Sequence, residues 1–426
     1  MCFLDRIAPP LLLLAVLLAG LHATPARAEG ETPVITGPGE CESCHTQLQE
    51  EWLLDSVANL AYDQHFRKGM GCVDCHGGDY TATDKSAAHD PAHGYIGIPS
   101  ELDIPALCGS CHNDPEFMAA QNPQLPVDQY MRYWTSRHGQ LLRMGMRKVA
   151  QCSSCHTAHN VRPANDTRSS VYPANVPQTC ANCHSDTDYM AGYRIPTDQF
   201  EKYRYSVHGV ALLDEGDIAA PACNDCHGNH GAVPPGVQSI SHVCGMCHSL
   251  VADYFEESPH AAHFAAEGIG QCTACHDYHA VAHPQPAMFN MGPDSVCISC
   301  HRHDDAGWQT GRQLFTMVSN LTELREEASR ELANAKNLGM DITEGEFLLQ
   351  DFRNNFLELR TLSHSFDMEL IETKAEEAVT QASEARAVAF GAVEEFHFRR
   401  RGLLVALLLS VPVIIILAVK IRSLDI

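Results

Sequence analysis

Nine copies of the pentapeptide Cys-x-x-Cys-His are the residues of this chain best suited to chemistry. Two thiols at this spacing can bond the two vinyl groups of a porphyrin, and the adjacent imidazole can ligate its iron. Each motif therefore predicts one covalently attached c-type haem, and the chain predicts nine. The predicted attachment cysteines are Cys41, Cys44, Cys72, Cys75, Cys108, Cys111, Cys152, Cys155, Cys180, Cys183, Cys223, Cys226, Cys244, Cys247, Cys272, Cys275, Cys297 and Cys300. The predicted proximal ligands are His45, His76, His112, His156, His184, His227, His248, His276 and His301.

Two other uses of cysteine fit this pattern poorly. Zinc ribbons also pair Cys-x-x-Cys motifs, but they do not require a histidine directly after every second cysteine. A disulfide framework is disfavoured because Cys2 is the only one of the 19 cysteines outside the motifs. The mature protein is therefore predicted to contain haem and no disulfide.

A longer repeat surrounds the motifs and supplies further histidines. An aromatic residue precedes Ser-x-His, a motif follows, and another histidine lies three residues beyond that motif. The three clear copies are Tyr133, Ser136, His138, His156, His159; Tyr203, Ser206, His208, His227, His230; and Phe255, Ser258, His260, His276, His279. Each copy is followed by a second motif, which begins at Cys180, Cys244 and Cys297 respectively. A looser copy runs from Tyr62 and His65 through His76 to His112, with His89 or His93 as its second extra histidine.

These extra histidines are predicted to be distal ligands that leave low-spin iron between two imidazoles. They are His65, His89 or His93, His138, His159, His208, His230, His260 and His279. That gives eight ligands for nine irons. The ninth iron uses one of the histidines that break the pattern, a methionine, a ligand from elsewhere, or none. The pattern-breaking histidines are His242, His263, His283 and His303.

The elements that position these residues must be short. The motifs occupy 261 residues, or 29 per haem, which is too little polypeptide to insulate each porphyrin. We expect a haem-packed cytochrome fold over residues 29–304, with one haem followed by four di-haem repeats. Short helices, many loops and little or no sheet are expected, and folding should be coupled to haem binding.

Irons with both axial positions filled can pass electrons but do not readily bind substrate. From Cys41 to His301 the chain resembles periplasmic multihaem cytochromes c of respiratory chains, with motif pairing similar to cytochromes c3 and c554. Ser206 to Gly209 and Cys223 to His230 carry the resemblance most clearly. The resemblance implies an electron-transfer subunit. Its expected partners are a membrane quinol-oxidising or cytochrome b-type complex and a periplasmic electron carrier or outer acceptor.

The alternative is a multihaem reductase or oxidase of a small nitrogen or sulfur compound with one open haem. The Cys-x-x-Cys-Lys motif of ammonia-forming nitrite reductases is missing. Hydroxylamine-oxidoreductase-type sites use a tyrosine from the C-terminal helices, and no tyrosine follows Tyr278 in this chain. Enzymes with other open haems remain an alternative, so the sequence leaves catalytic activity undecided. An extracellular haem filament would require release from the membrane and fits less well.

The two ends of the chain carry targeting signals. Residues 1–28 have the layout of a signal peptide, with cleavage predicted after Ala28. Residues 402–419 are uncharged and mostly Leu, Val and Ile, so they predict a transmembrane helix in contact with membrane lipid. Because c-type haem is attached outside the cytoplasmic membrane, residues 29–401 are placed on the periplasmic side and residues 420–426 in the cytoplasm.

Between the haem motifs and the span, residues 305–401 predict a helical bundle or stalk. Three apolar stripes with helical spacing begin at Leu314, Leu349 and Ile371. We interpret His364 and His397 as structural residues of this bundle. The formal charge of the chain is -24, which disfavours nucleic acid as a partner and would steer a basic protein partner toward it.

Overall fold

The computed structural model describes residues 40–48, 50–236, 240–290, 292 and 295–424. Over these residues the chain forms helices and loops without any β-strand, which confirms the predicted fold class. The described residues divide into two compact units: residues 40–97 with 158–161, and residues 98–157 with those from 162 to 424. The predicted signal peptide, residues 1–28, lies outside the described residues.

The described part of the first unit contains five short helices. They are α1 (Glu40–His45), α2 (Glu51–Leu60), α3 (Gln64–Arg67), α4 (Cys72–His76) and α5 (Lys85–Ala88). A single 3-10 turn, Pro91–His93, follows α5 in this unit's described part. Aspartates begin several of these elements because their side chains accept backbone N–H groups that a helix start leaves unpaired: Asp63 caps α3 and Asp84 caps α5.

The second unit begins with a series of equally short helices. They are α6 (Ile104–His112), α7 (Pro115–Gln121), α8 (Gln129–Thr135), α9 (Arg137–Arg143), α10 (Cys152–His156), α11 (Val176–His184), α12 (Thr187–Met190), α13 (Gln199–Arg204), α14 (Val207–Gly209), α15 (Cys223–His227), α16 (Ile240–Gly245), α17 (Ser249–Glu257), α18 (Pro259–Glu267) and α19 (Thr273–His276). The helical turns outside them are Pro173–Asn175, Val210–Asp214, Pro286–Phe289 and Cys297–Ser299.

Three long helices complete the second unit: α20 (Ala306–Asn337), α21 (Thr343–Leu362) and α22 (Met368–Leu424). Gly339 takes the left-handed backbone conformation that ends α20, with φ of 76°. The Asp341 carboxylate then accepts the Thr343 N–H at 3.0 Å, so the chain restarts as α21. A 3-10 turn, Ser363–Ser365, joins α21 to α22.

The three long helices bury one continuous apolar core. All three predicted stripes contribute to it: Leu314, Leu321 and Leu332 from α20, Leu349, Phe352, Phe356 and Leu359 from α21, and Ile371, Ala375, Ala378, Ala382, Ala385 and Ala389 from α22. The α22 stripe is almost entirely alanine, which lets its backbone approach the other two helices closely. Arg386 adds a two-point ion pair to Glu331, with N–O distances of 2.9 and 3.0 Å.

Close packing along the alanine stripe limits the size of the side chains that it can contain. Ala382 is fully buried, whereas Ala387 on the same helix is exposed. Ala382→Leu is expected to lower the unfolding free energy by about 1–3 kcal/mol, because added methylene groups in a packed core force strain. Urea unfolding of the full chain, followed by far-ultraviolet circular dichroism, measures the change. Ala387→Leu is the matched control, and an equal loss in both variants would contradict the packing described here.

Among the described helices, α22 alone is long and apolar enough to cross a membrane, and its apolar part is C-terminal. Its most apolar stretch of 18 residues has a mean hydropathy of 3.0, and none of that stretch is buried within the protein. The predicted span 402–419 lies within this helix, which continues through Pro412 without a break. A fully exposed apolar surface of this length is suited to lipid rather than to water.

Candidate functional site

The motif cysteines and histidines lie mainly at the ends of short helices. In six motifs, those of α1, α4, α6, α10, α11 and α15, the histidine is the last helical residue and both cysteines precede it within the same helix. The first cysteine of every motif is half-buried. The second cysteine is exposed in most motifs and half-buried at Cys111 and Cys183. Each motif thus presents two thiols and an imidazole on one short helical stretch.

Eight motif histidines face a second histidine within the same unit, in the part of the chain that is described. In the first unit the ring-centre distances are 6.1 Å for His45–His89 and 5.9 Å for His76–His159. In the second unit they are 6.0 Å for His184–His138, 6.0 Å for His156–His230, 6.3 Å for His248–His208, 5.9 Å for His227–His279, 6.0 Å for His301–His260 and 6.0 Å for His276–His364. We call these the histidine pairs.

The separation within the histidine pairs fits an iron between the rings. An imidazole nitrogen binds a transition metal at about 2 Å and lies about 1 Å from its own ring centre, so two trans imidazoles have centres about 6 Å apart. Rings in direct contact would be closer than this. The Nδ1 atoms of His260 and His279 are also buried with no hydrogen-bond partner among the described residues. The residues present therefore fit a haem.

Hydrogen bonds at Nδ1 fix the ring orientation of several paired histidines. Nδ1 lies 2.8 Å from the Gly97 carbonyl in His76, 2.9 Å from the Lys85 carbonyl in His89, and 3.3 Å from the Val233 carbonyl in His227. A carbonyl only accepts, so Nδ1 carries the proton and Nε2 keeps its lone pair. This is the arrangement that orients metal-binding imidazoles.

Burial favours the neutral imidazole that metal binding needs. Burial, and to a smaller extent the nearby His184, lower the pKa of His138 to about 4. Burial also lowers the pKa values of His208, His230 and His279. In each of these residues the ring is disposed to remain uncharged at neutral pH, with a nitrogen lone pair for the iron.

The Ser-x-His segments are built by a serine that joins two helices. Ser136 ends α8 and begins α9: its hydroxyl donates to the Tyr133 carbonyl at 2.6 Å and accepts the Gly139 N–H at 2.9 Å. The Tyr133 hydroxyl donates to the Ala150 carbonyl, just before the next motif. A side chain at Gly139 would come within 2.2 Å of the Tyr133 carbonyl oxygen, so glycine is needed for this close approach. The same contacts recur at Tyr203, Ser206 and Gly209, which places His208 as His138 is placed.

The second histidine of each clear repeat pairs backward along the chain. His159, His230 and His279 face His76, His156 and His227, which are the motif histidines of the preceding repeat. Backbone bonds follow the same register. The N–H groups before His138 and His208, on Arg137 and Val207, donate to the carbonyls of Ala232 and Val281, two residues beyond His230 and His279. Adjacent repeats are therefore interlocked.

Motif cysteines are also neighbours in chain order. The thiols of Cys41 and Cys72 are in contact in the first unit, as are Cys108 and Cys152, Cys180 and Cys223, and Cys244 and Cys272 in the second. The remaining consecutive motifs of the second unit also have cysteines near one another. Cys155 interacts with Cys180 and Cys183, Cys226 with Cys244 and Cys247, and Cys275 with Cys297 and Cys300. Burial and these neighbours raise the thiol pKa of Cys155 and Cys275 to about 11.

The structure distinguishes between the two candidates left open near the first motifs. His89 faces His45 and is half-buried, whereas His93 is exposed. His89, the second extra histidine of the looser repeat, thus lies opposite the histidine of the first motif in the chain. The four histidines that break the repeat, His242, His263, His283 and His303, are all exposed.

His65 lies on α3 beside a buried carboxylate. Its Nδ1 is 3.1 Å from Oδ1 of Asp63, which also accepts the His65 N–H at 2.8 Å, and Oδ2 of Asp63 accepts the Val161 N–H at 2.7 Å. Burial acts to raise the Asp63 pKa, but the hydrogen bonds from His65 and Val161 outweigh it and lower the pKa overall. A carboxylate at Nδ1 is a common support for a metal-binding imidazole. The role of His65 as a distal ligand stays a prediction, as does the proximal role of His112 at the end of α6.

One paired histidine lies outside the predicted set. His364, in the turn between α21 and α22, faces His276 at 6.0 Å. It belongs to no Ser-x-His or Cys-His-x-x-His segment, so no repeat signal in the sequence could have identified it.

Comparisons with known proteins agree with these sites. The Cytochrome c3 family matches residues 64–185, and the doubled CXXCH motif family matches residues 263–306. A C-type polyheme cytochrome of Geobacter sulfurreducens, OmcC, is 27% identical over 200 residues. The match covers 40% of this chain and 24% of OmcC, so the chain spans about a quarter of that relative. These similarities support covalently bound c-type haem in this chain.

Proposed function

We propose that this chain, which is a multihaem c-type cytochrome, binds nine haems and relays electrons between a membrane partner and an acceptor outside the cytoplasmic membrane. The membrane partner is a quinol-oxidising or cytochrome b-type complex. The acceptor is a periplasmic electron carrier or an outer acceptor. Electron transfer as the general function is supported by the similarities to multihaem cytochromes.

The observation that carries the proposal is the order of the motifs in the second unit. From Cys108 to Cys300 there are seven consecutive motifs, and at each of the six steps between them a cysteine interacts with a cysteine of the next motif. Groups attached to neighbouring cysteines must lie close together. A row of redox groups in chain order is suited to conduction from one end to the other, whereas a single isolated site would be enough for catalysis.

The histidine pairs favour a conduit over an enzyme. A c-type haem held by two imidazoles supplies one-electron redox chemistry without an open coordination position. In the eight histidine pairs, the two imidazoles would hold the haem iron from both sides. Backbone carbonyls orient the rings of His76, His89 and His227 through Nδ1. Burial lowers the pKa of His138, His208 and His230, which favours the neutral imidazole. Substrate chemistry would need an iron that lacks such a second ring.

The apolar part of α22 supports membrane attachment. We propose that residues 402–419 cross the cytoplasmic membrane once, with the haem-binding residues on the periplasmic side. Arg399, Arg400 and Arg401 lie at the proposed outer surface, and Lys420 and Arg422 lie beyond the apolar segment. The span contains no histidine, methionine or cysteine to ligate a haem within the membrane. Quinol oxidation would therefore require a partner.

Turnover with small substrates separates the conduit from the enzyme. The full-length protein, purified in detergent and reduced with dithionite, is mixed with nitrite, hydroxylamine or sulfite, and the product is measured. With dithionite kept in excess, a conduit is expected to give no more product than dithionite gives without the protein. Sustained turnover with any of these compounds would show that the chain is an enzyme.

The need for a membrane partner is tested with a quinol analogue. Haem in native membrane vesicles that contain the protein is expected to be reduced by the analogue, and the purified protein alone is expected to remain oxidised. The visible absorbance band of reduced haem measures the extent of reduction in both samples. Rapid reduction of the purified protein by the analogue would overturn the proposal of a separate quinol-oxidising partner.

A further inference from the structure

The interlocked repeats leave one position to be filled at their end. His159, His230 and His279 each pair with the first-motif histidine of the repeat before them. In the last repeat the corresponding motif histidine is His276, and no Cys-x-x-Cys-His follows His301 to continue the pattern. The next repeat, which would supply a partner for His276, is replaced by the helices α20–α22.

We propose that His364, between α21 and α22, is the sixth ligand of the haem attached at Cys272 and Cys275. The ring centres of His276 and His364 are 6.0 Å apart, and the rings are inclined at 26°. The three backward pairs between repeats have distances of 5.9–6.0 Å and angles of 10–24°. The pairs made by Ser-x-His segments are inclined more steeply, at 38–80°. His364 therefore reproduces the geometry of the missing repeat.

The surroundings of His364 prepare it for this role. Its Nδ1 donates to the Thr361 carbonyl at 3.0 Å, which leaves the Nε2 lone pair available. Beside it, Leu362 and Ser363 are buried, and the Ser363 hydroxyl donates to the Arg360 carbonyl at 2.7 Å. The Nδ1 atom of His364 is thus held by a carbonyl of its own turn, as the Nδ1 atom of His89 is held by the Lys85 carbonyl.

A second feature shows that the last repeat is built to end at this turn. In earlier repeats the residue before the Ser-x-His histidine donates its N–H to the following repeat, as Arg137 and Val207 do. In the last repeat this residue is Pro259, which has no N–H to donate. Phe366 instead packs against His260, with ring centres 4.4 Å apart.

The backbone of Phe366 is consistent with a turn held by its contacts. Its φ is 56°, in the left-handed region that an aromatic residue rarely adopts. Such a conformation persists only where the surroundings require it. His364 and Phe366 thus close the repeats as a cap, and the helices α20–α22 are joined to the haem-binding residues through an iron ligand.

This inference rests on the proposed nine-haem function, so the test counts haem and spin state together. His364→Ala is made in the full-length protein, with His397→Ala as a control because His397 is an exposed histidine of the same helical region. His364→Ala is expected to retain nine haems, to gain one high-spin ferric iron per chain, and to bind one carbon monoxide after reduction. His397→Ala is expected to match the native protein.

A methionine variant keeps the proposal testable if His364→Ala does not accumulate. His364→Met is expected to give one low-spin iron with methionine ligation, visible as a sulfur-to-iron charge-transfer band, with a raised potential at that haem alone. An alanine variant with nine haems and only low-spin iron would overturn the role of His364, as would a methionine variant without the band. Fewer than nine haems in the native protein would instead contradict the proposed function.

Discussion

A full-length chain that is exported without haem attachment is expected to lose the fold of residues 40–304, while α20–α22 remain helical. The reason is the distribution of buried apolar side chains. Nineteen buried residues form the continuous core of α20–α22. The haem-binding residues of the second unit have three small clusters, built around Leu212, Leu142 and Phe264, with three or four buried members each.

Clusters of this size cannot offset the conformational entropy of ordering some 200 residues, since each ordered residue costs about 1–2 kcal/mol. The histidine pairs point to the missing part of the core. Their rings are about 6 Å apart, and a porphyrin between them would supply apolar surface on both sides. Haem attachment is therefore expected to contribute most of the stability of this region, as metal binding does in small metalloproteins.

Limited proteolysis measures this difference. The chain is produced in cells that export it but lack the haem-attachment enzymes, and it is compared with the haem-loaded protein. Cleavage between residues 40 and 304 is expected to be faster by on the order of a hundredfold. Cleavage within α20–α22 should change little, and a resistant fragment should begin near Ala306. Equal resistance of residues 40–304 in both preparations would contradict the account.

Replacement of a distal histidine by methionine is expected to change one haem strongly and leave the others nearly unaltered. His230→Met places a thioether opposite His156, whose ring centre lies 6.0 Å from that of His230. Methionine stabilises ferrous iron relative to histidine, so one midpoint potential should rise by on the order of 100 mV. Potentiometric titration of the full-length protein, followed by visible absorbance, resolves this one-haem component.

The matched control is His283→Met, because His283 is an exposed histidine whose Nδ1 lies 3.1 Å from the carbonyl of Pro284. This variant is expected to titrate as the native protein does. If His230→Met also leaves every potential unchanged, His230 is not an axial ligand, and the histidine pairs do not identify the iron sites.

The local part of the site could be predicted from the sequence. Cys-x-x-Cys-His is a contiguous motif, and the Ser-x-His and Cys-His-x-x-His segments recur at nearly constant spacing. Such signals depend only on neighbouring residues. The helical stripes of α20–α22 were equally accessible, because burial of one helix face imposes a regular spacing of apolar residues.

The pairing of the histidines could not be predicted from the sequence. His279 could have served any nearby motif, and only the three-dimensional interlocking of repeats brings it opposite His227. The same holds for His89, which faces the leading motif at His45. His364 carries no repeat signal, and its position depends on how the turn between α21 and α22 packs against the last repeat.

Low-temperature electron paramagnetic resonance of the fully oxidised, detergent-purified protein, with haem counted in parallel, tests the central claim most directly. Ligand-binding spectra with cyanide and carbon monoxide accompany it, because magnetic coupling between close haems can hide a signal. We expect nine haems per chain, low-spin ferric iron throughout, and no change on addition of either ligand. A high-spin ferric iron in stoichiometric amount that binds an added ligand would contradict the conduit and indicate an enzyme with an open haem.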